Sequence, residues 1–522
     1  MTIVGGLVVV AALTAVLYRA GSHAGPVDAD SATVVLEGAA MAHGNIGLAG
    51  WALSRDSFWT IDALANMLAV LVDGVRPVLL YGVPAVFAAL VVLVAALLAR
   101  RQRTRAGRVV AVLTLLAFLA LPSRALSLFY LQGPYHVGTA LYALLAFWCL
   151  RSRRFGWGWG CAVALFGLGM LGDLQLAIFG AAPALGAGIL AMLRRRDVRA
   201  GLPTVAASVA AAALAAVARL LADLFGTFSV NRANPQATVH EMVSNLHDIG
   251  RLGPSLLGVG TGPYLPLEPT GMPVVLSDLH VVLIVVLLAG AVAAFVLAVV
   301  GGLGGSATSL GQGEGEWHLE DLLILAFIAD LLTFLRLDFA SNPQFARYLT
   351  AAIIFGSILA ARLLGRVVDL WARRRLAPVA VGATVALFLT FAAGFGDSLA
   401  GAAAVNPATA LVAQLRQRHL TRGLGDYWSA SIVTVESAGA VVVRPVVDAP
   451  NGKVFRYSRN NDAAWYAGHR FQFVVEEQGL GLVQPADVRA TFGPWSSSFT
   501  SGPYTVFAFS HPISVSTIAS GG

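Results

Sequence analysis

Long apolar runs separated by short polar or basic stretches fill the first three quarters of the chain. They fall at about Ile3–Tyr18, Val78–Ala99, Val109–Leu126, His136–Leu150, Gly156–Leu171, Leu174–Leu193 and Leu202–Leu221, then Leu279–Gly301, Leu322–Leu337, Tyr348–Ala361 and Leu376–Phe395. Each approaches the ~20 apolar residues that a helix needs to cross hydrocarbon, so the pattern predicts about eleven transmembrane helices. The stretch between the first two runs, Ala20 to Arg76, is different. Ala32–Met41 and Phe58–Leu71 have mixed faces, with Trp51, Phe58 and Trp59 nearby, which predicts interfacial helices in a first external loop. From Asp397 the apolar runs stop. Ser431–Val443, Phe471–Glu476 and Tyr504–Phe509 alternate between turn residues, as strands do. Ser437-Ala438-Gly439 reads as a hairpin turn, and Trp428, Trp465, Tyr466, Phe471 and Trp495 supply a candidate core. The expected division is a transmembrane module over 1–396 and a small external domain, rich in strand, over 397–522.

Composition agrees: 57% of the 522 residues are hydrophobic and 12% are charged, against roughly 25% charged in a soluble domain. This is an integral membrane protein. The net charge of +7 raises the question of nucleic acid, but the basic residues cluster between spans. The clusters are Arg100, Arg101, Arg103, Arg105 and Arg108; Arg151, Arg153 and Arg154; Arg194, Arg195, Arg196 and Arg199; and Arg362, Arg366, Arg373, Arg374 and Arg375. All fall on one side, which marks the cytoplasmic face and excludes a nucleic-acid partner. The N-terminus is then inside, and the Asp28 loop, the turns near Gln132, Asp173, Asn231 and Asn342, and the C-terminal domain lie outside. Acidic Glu314, Glu316, Glu320 and Asp321 interrupt the pattern near the loop from Gly302. The first segment lacks the basic n-region of a signal peptide. Cys149 and Cys161 sit in predicted spans and imply no disulfide framework. Lys453 is the lone lysine, an arginine bias that fits a GC-rich bacterial genome.

Chemistry concentrates where the first span leaves the membrane. Asp28-Ala29-Asp30-Ser31-Ala32 places two carboxylates near the interface, and Glu37-Gly38-Ala39-Ala40-Met41-Ala42-His43-Gly44 follows. This D-x-D-S-A…G arrangement resembles bacterial members of the GT-C superfamily of membrane glycosyltransferases. Gly133-Pro134-Tyr135-His136, Gly172-Asp173 and Asn342-Pro343-Gln344-Phe345-Ala346-Arg347-Tyr348-Leu349 support the resemblance less specifically. The resemblance implies transfer of a sugar, with inversion, from a polyprenyl-phosphate donor to an acceptor hydroxyl on the outer face of a bacterial cytoplasmic membrane. It puts Asp30 in the place of the catalytic base. Asp28 orients the site, helps hold a divalent cation or is simply exposed; no cofactor is otherwise implied. The acceptor is a cell-envelope glycan, a glycolipid or a protein.

Each candidate has a structural alternative. Asp30 caps the helix beginning at Ser31 if it is not the base. Arg347 grips the donor phosphate or anchors span ten at the interface, with Arg124 and Arg336 as further phosphate candidates. Asp173 binds acceptor hydroxyls or a metal, or caps the helix at Leu174. Tyr135 and His136 are further substrate-binding candidates, a lone histidine at such a position being more often structural. Asp330, within span nine, should pair with a donor inside the bundle, and Arg219 with Asp223, four residues on. His240, His247 and Asp248 read as solvated. Gly258–Pro263 lacks the context of a nucleotide-phosphate loop, in keeping with a lipid-linked donor. The rival class is a lipid or polysaccharide transporter or flippase, but no repeated halves with broken helices are visible.

Overall fold

The computed structural model describes residues 3–100, 102–151, 154–230, 236–259, 276–286, 289, 314–338, 343–371, 377–449, 451–479 and 482–516. Arg101, Arg153, Asn231, Asn342, Arg373, Arg374 and Arg375, the loop from Gly302, most of the glycine stretch at Gly258–Pro263 and most of the span after Val286 lie outside the described residues. Helix α1 (Ile3–Ala24) leads into α2 (Ala29–Ala42), β1 (Trp51–Leu53) and α3 (Leu64–Asp73). Then come α4 (Leu79–Ala99), α5 (Arg105–Leu119), α6 (Arg124–Tyr130), α7 (Val137–Leu150), α8 (Trp157–Gly172), α9 (Ala182–Arg195) and α10 (Leu202–Leu224). Strand β2 (Ser229–Val230) precedes α11 (Val239–Leu256), α12 (Leu276–Val286), α13 (Glu314–Leu335), α14 (Thr350–Trp371) and α15 (Ala377–Ala400).

Nine of the eleven predicted spans each fall on one of these helices; the span over Val109–Leu126 falls on two, and that over Leu279–Gly301 lies mostly outside the described residues. Among the described residues, six helical stretches are long and apolar enough to cross a membrane: Val4–Ala24, Leu79–Ala99, Ala177–Arg195, Leu202–Leu224, Gln344–Leu370 and Ala377–Ala400. Helices α7, α8 and α12 are shorter apolar helices. The span predicted over Val109–Leu126 is bent: α5 and α6 meet at 78°. Pro122 is incompatible with a continuing helix, and Ser123 recaps the chain by accepting from the Leu126 amide at 3.0 Å.

The acidic residues that interrupt the basic pattern are its counter-ions. Glu320 sits buried in α13 and pairs with Arg362, 3.2 Å away, and with Arg366. The Arg362 guanidinium also donates to the Leu98 carbonyl at 2.6 Å. Asp321 pairs with Arg194 at 2.5 Å. From α14, Asp369 accepts from the Arg103 and Thr104 amides at 2.9 and 3.0 Å and fixes the start of α5. Deeper in the bundle, Asp330 accepts from the Ala352 amide at 2.7 Å, as expected of a span carboxylate. Arg219 and Asp223 pair at 2.5 Å.

The C-terminal region folds as α16 (Pro407–Gln417), β3 (Arg422–Gly425), α17 (Tyr427–Glu436), β4 (Val442–Ala449), β5 (Lys453–Arg456), β6 (Asn461–Asp462), β7 (Phe471–Glu477), α18 (Pro485–Phe492), β8 (Ser497–Ser501) and β9 (Tyr504–Ile513). Its six-stranded sheet runs β5-β4-β3-β7-β9-β8, with β3 parallel to β4 and β7. One expectation is overturned here. Ser431–Val443 is not a strand hairpin: its first half belongs to α17, while the turn at Ser437–Gly439 stands where predicted and Val442 and Val443 begin β4. The helix is buried on all sides, so it shows no polar face to betray a 3.6-residue period, and its β-branched residues mimic a strand. Tyr466 and Phe471 lie in the core, whereas Trp428 stays half-buried beside Tyr427.

Helix α2 is covered rather than exposed to lipid. Val34 and Val35 pack in one cluster with Ile432 and Val433 of α17 and Phe473 of the sheet, and the Thr33 hydroxyl donates to Ser431 at 2.9 Å. Strand β1 is the centre of a small sheet, parallel to β2 and antiparallel to β6. The first loop is thereby stitched both to the stretch after α10 and to the C-terminal region. Asp62, in the helical turn before α3, is 4% exposed, and its Oδ2 has no hydrogen-bond partner among the described residues. Burial, with the Asp173 charge adding, pushes its carboxyl up to about 8.

Two stability predictions follow from these buried groups. Glu320→Gln should destabilise the detergent-purified protein by about 3–5 kcal/mol, because Arg362 loses its counter-ion in a buried site; an unchanged thermal midpoint would contradict this. For Asp62 the folded state holds the proton more tightly than the unfolded chain, whose carboxyl titrates near ~3.9. Its contribution is therefore complete below that pH and fades as pH rises towards 8. From about pH 6 to about pH 9 the wild-type midpoint should fall more steeply than that of Asp62→Asn, and parallel slopes would refute the assignment.

Candidate active site

Gly25-Pro26 ends the first helix, and the extended Asp28 opens the next. Asp28, not Asp30, is the cap: its Oδ1 accepts from the Ser31 amide and hydroxyl, each at 3.2 Å. Its other oxygen accepts from the Tyr135 hydroxyl. Burial, with the Asp30 charge adding, pushes the Asp28 carboxyl up. With the cap placed there, Asp30 sits in the first turn and is free for tertiary contacts. The capping alternative for Asp30 is thereby removed, since two residues earlier its neighbour does that work.

Asp30 meets two partners from distant parts of the chain. The Arg347 guanidinium donates to Oδ2 at 3.1 Å, and the Tyr427 hydroxyl donates to Oδ1. Arg347 lies in the tight helical turn Pro343–Leu349 that enters α14. Its guanidinium stands over the rings of Tyr135, Phe345 and Tyr348, 5.3 to 5.5 Å from each centroid, and such ring faces favour a cation. The side chains of Arg347 and Asp30 are 21% and 23% exposed, so the pair is confined and still open to an incoming molecule. Tyr427, the first residue of α17, also accepts from Asn460 Nδ2 at 2.8 Å and stacks on Tyr457. Burial, with the Asp30 charge adding, pushes its phenol well up.

Behind Arg347 lies a second polar pair. His136 begins α7 with a left-handed backbone, φ 64°, and its Nδ1 is 2.6 Å from Asp173 Oδ2. Thr139 donates to the same oxygen, while Asp173 Oδ1 accepts from the Gln175 amide at 2.9 Å, capping the following helix. His136 and Asp173 are 4% and 0% exposed. The imidazole is flanked by Phe58 and by Tyr348, the neighbour of Arg347. This pair therefore backs the site and does not open onto it. Arg124 donates to the Ala24 carbonyl at 3.2 Å, closing the end of α1, and the exposed Arg336 donates to the Gln236 side chain.

Sequence reasoning passed over three acidic residues and the tyrosine. Burial, with Asp173 adding, pushes the Asp56 carboxyl up to about 6, while His136 and Arg347 oppose the shift. Buried Glu37 lies two turns along α2 from Asp30, and Asp62 completes the group. Asp56 and Asp62 have no motif around them, and Glu37 stands in the quoted segment without a role assigned to it. Tyr427 does carry a signal, since Asp426-Tyr427-Trp428-Ser429 is a helix-start pattern in which Asp426 accepts from the Ser429 amide, but the strand-like run after it conceals the helix. His240 and His247 are exposed on α11. Among the described residues no three His, Cys, Asp or Glu side chains converge as a metal-ligand set.

An apolar cavity of about 430 Å³ adjoins the site, bounded by α5, α11, α13 and α14 and lined by residues such as Phe118, Leu256, Ile328, Leu331 and Ile353. Its wall along the α14 side runs from Leu349, two residues beyond Arg347, to Leu363, about 21 Å of helix.

No family model matches the chain, and no curated protein matches it. Solved structures do. The crystal structure of ArnT from Cupriavidus metallidurans in the apo state is 12% identical and covers 99% of both chains with a TM-score of 0.54. The structure of the same protein bound to undecaprenyl phosphate is 12% identical and covers 100% of both chains with a TM-score of 0.51. The likeness is one of architecture over the full length: this chain has the fold of ArnT, a polytopic architecture in keeping with the resemblance read from the sequence.

Proposed function

We propose that this protein is a membrane glycosyltransferase that moves one sugar from a polyprenyl-phosphate donor to a hydroxyl of a cell-envelope glycan, glycolipid or protein. The observation that carries the reading is the partly exposed pairing of Asp30 with Arg347 beside an apolar cavity. A lipid-phosphate sugar has those three needs: a base for the acceptor, a cation for the leaving phosphate and an apolar bed for the chain. The structural neighbour bound to undecaprenyl phosphate adds a reason to choose this donor class.

In the proposed reaction the acceptor hydroxyl attacks the anomeric carbon, with inversion, as its proton passes to Asp30. The bond from the anomeric carbon to the phosphate oxygen breaks, and its electron pair stays on the phosphate. Arg347 offers five N–H donors in a planar fork, enough to keep one on Asp30 and turn two towards phosphate oxygens. The site is partly closed by protein, so that charge acts through a less screening medium than water. Asp28 holds the start of α2 in place and is a positioning group in this scheme. Tyr135 ties Asp28 to the face over which Arg347 lies, and the His136–Asp173 pair supports Tyr348 behind it. The reading places the reaction on the outer face of a bacterial cytoplasmic membrane, as the basic clusters imply.

The test is transfer of label from a panel of radiolabelled polyprenyl-phosphate hexoses and pentoses by membranes containing each variant at matched folded levels. Asp30→Asn should lose roughly 10²–10⁴-fold in rate, the contribution of a positioned base. Arg347→Ala should lose roughly 10²–10³-fold, with Arg347→Lys recovering only part because a point charge lacks the fork. Wild-type rates for Asp30→Asn, or no donor consumed by the wild type, would overturn the proposal.

A further inference from the structure

The Tyr427 hydroxyl comes from the C-terminal region, and nothing in the proposed reaction yet uses it. A carboxylate held by Arg347 through one oxygen can still turn about its Cβ–Cγ bond. A second donor on the other oxygen fixes the plane of the group. Tyr427 supplies that donor, and the direction of its proton is itself determined: Asn460 donates to the phenol oxygen at 2.8 Å, so the hydroxyl points its hydrogen at Asp30. Asn460 is held in turn by the first external loop, the Ser54 amide donating to its Oδ1 at 3.1 Å. The ring is clamped by stacking on Tyr457, 4.7 Å between centroids. A carboxylate has about four lone-pair sites. Two are engaged by Arg347 and Tyr427, which leaves room for the acceptor's proton.

We propose that Tyr427 is a positioning residue for Asp30, aimed by Asn460, and that the C-terminal region thereby completes the catalytic site. The inference rests on the glycosyltransferase reading. It predicts a loss in turnover without a loss in donor binding, because Tyr427 acts on the base and touches neither phosphate nor lipid.

The experiment measures kcat and donor KM with a radiolabelled polyprenyl-phosphate sugar that the wild type turns over, for the full-length protein carrying Tyr427→Phe, Asn460→Ala or both. Tyr427→Phe should lower kcat by roughly 10- to 100-fold, as loss of alignment does, with KM within about twofold and the thermal midpoint retained. Asn460→Ala should lower kcat less, and on the Tyr427→Phe background it should add nothing, since its effect passes through the phenol. Wild-type kcat in Tyr427→Phe, a rise in KM alone, or full additivity of the two changes would overturn the inference. Active wild type with unaffected Tyr427→Phe refutes only this inference; a wild type inert to every donor in the panel refutes the glycosyltransferase reading beneath it.

Discussion

The ion pair between Asp30 and Arg347 joins residues 317 positions apart, and much of the surrounding structure is arranged to hold it. Taking two charges partly out of water costs several kcal/mol per ion unless geometry and further hydrogen bonds compensate. Here the compensation is visible. Tyr427 donates to the second carboxylate oxygen, and three aromatic faces surround the guanidinium. Moving the cap of α2 by two residues would turn Asp30 away from both partners, so the Asp28 cap is as necessary to the pair as either charge.

Three segments must stay in register for that contact to persist: the loop after α1, the entry to α14 and the start of α17. Their fastening is mechanical. Strand β1 lies between β2 and β6, Trp51 packs edge-on against Trp465 at 4.8 Å, and the Arg444 guanidinium covers the other tryptophan. Helix α2 is gripped by α3 and α17. The compositional boundary near Asp397 thus separates two kinds of sequence without separating two independent halves of the site. At the other end of the bundle, Glu320, Asp321 and Asp369 knit α5, α9, α13 and α14 together beside the arginine clusters.

Most of the architecture is legible in the sequence because hydrocarbon imposes one pattern on every span. The apolar runs and the arginine clusters between them locate the helices without reference to their partners. Glu320 and Asp321 looked like exceptions because the reading counted loops one at a time and had no means of pairing residues across the bundle. The misread strand at Ser431–Val443 has the same origin: burial on every side erases the periodicity that distinguishes helix from strand. Asp30 and Arg347 could each be singled out locally, one by a motif and one by its place before a span. Their contact, the shift of the cap to Asp28, and the arrival of Tyr427 and Asp56 depend on tertiary placement that no local window contains.

A cryo-EM structure of the full-length protein with undecaprenyl phosphate tests directly whether Asp30 and Arg347 form the donor site. The phosphate should lie within hydrogen-bonding reach of the Arg347 guanidinium and the first isoprene units in the cavity among α5, α11, α13 and α14, with Asp30 still held by Tyr427. Phosphate bound away from Arg347, with that cavity empty and the Asp30–Arg347 pair undisturbed, would contradict it.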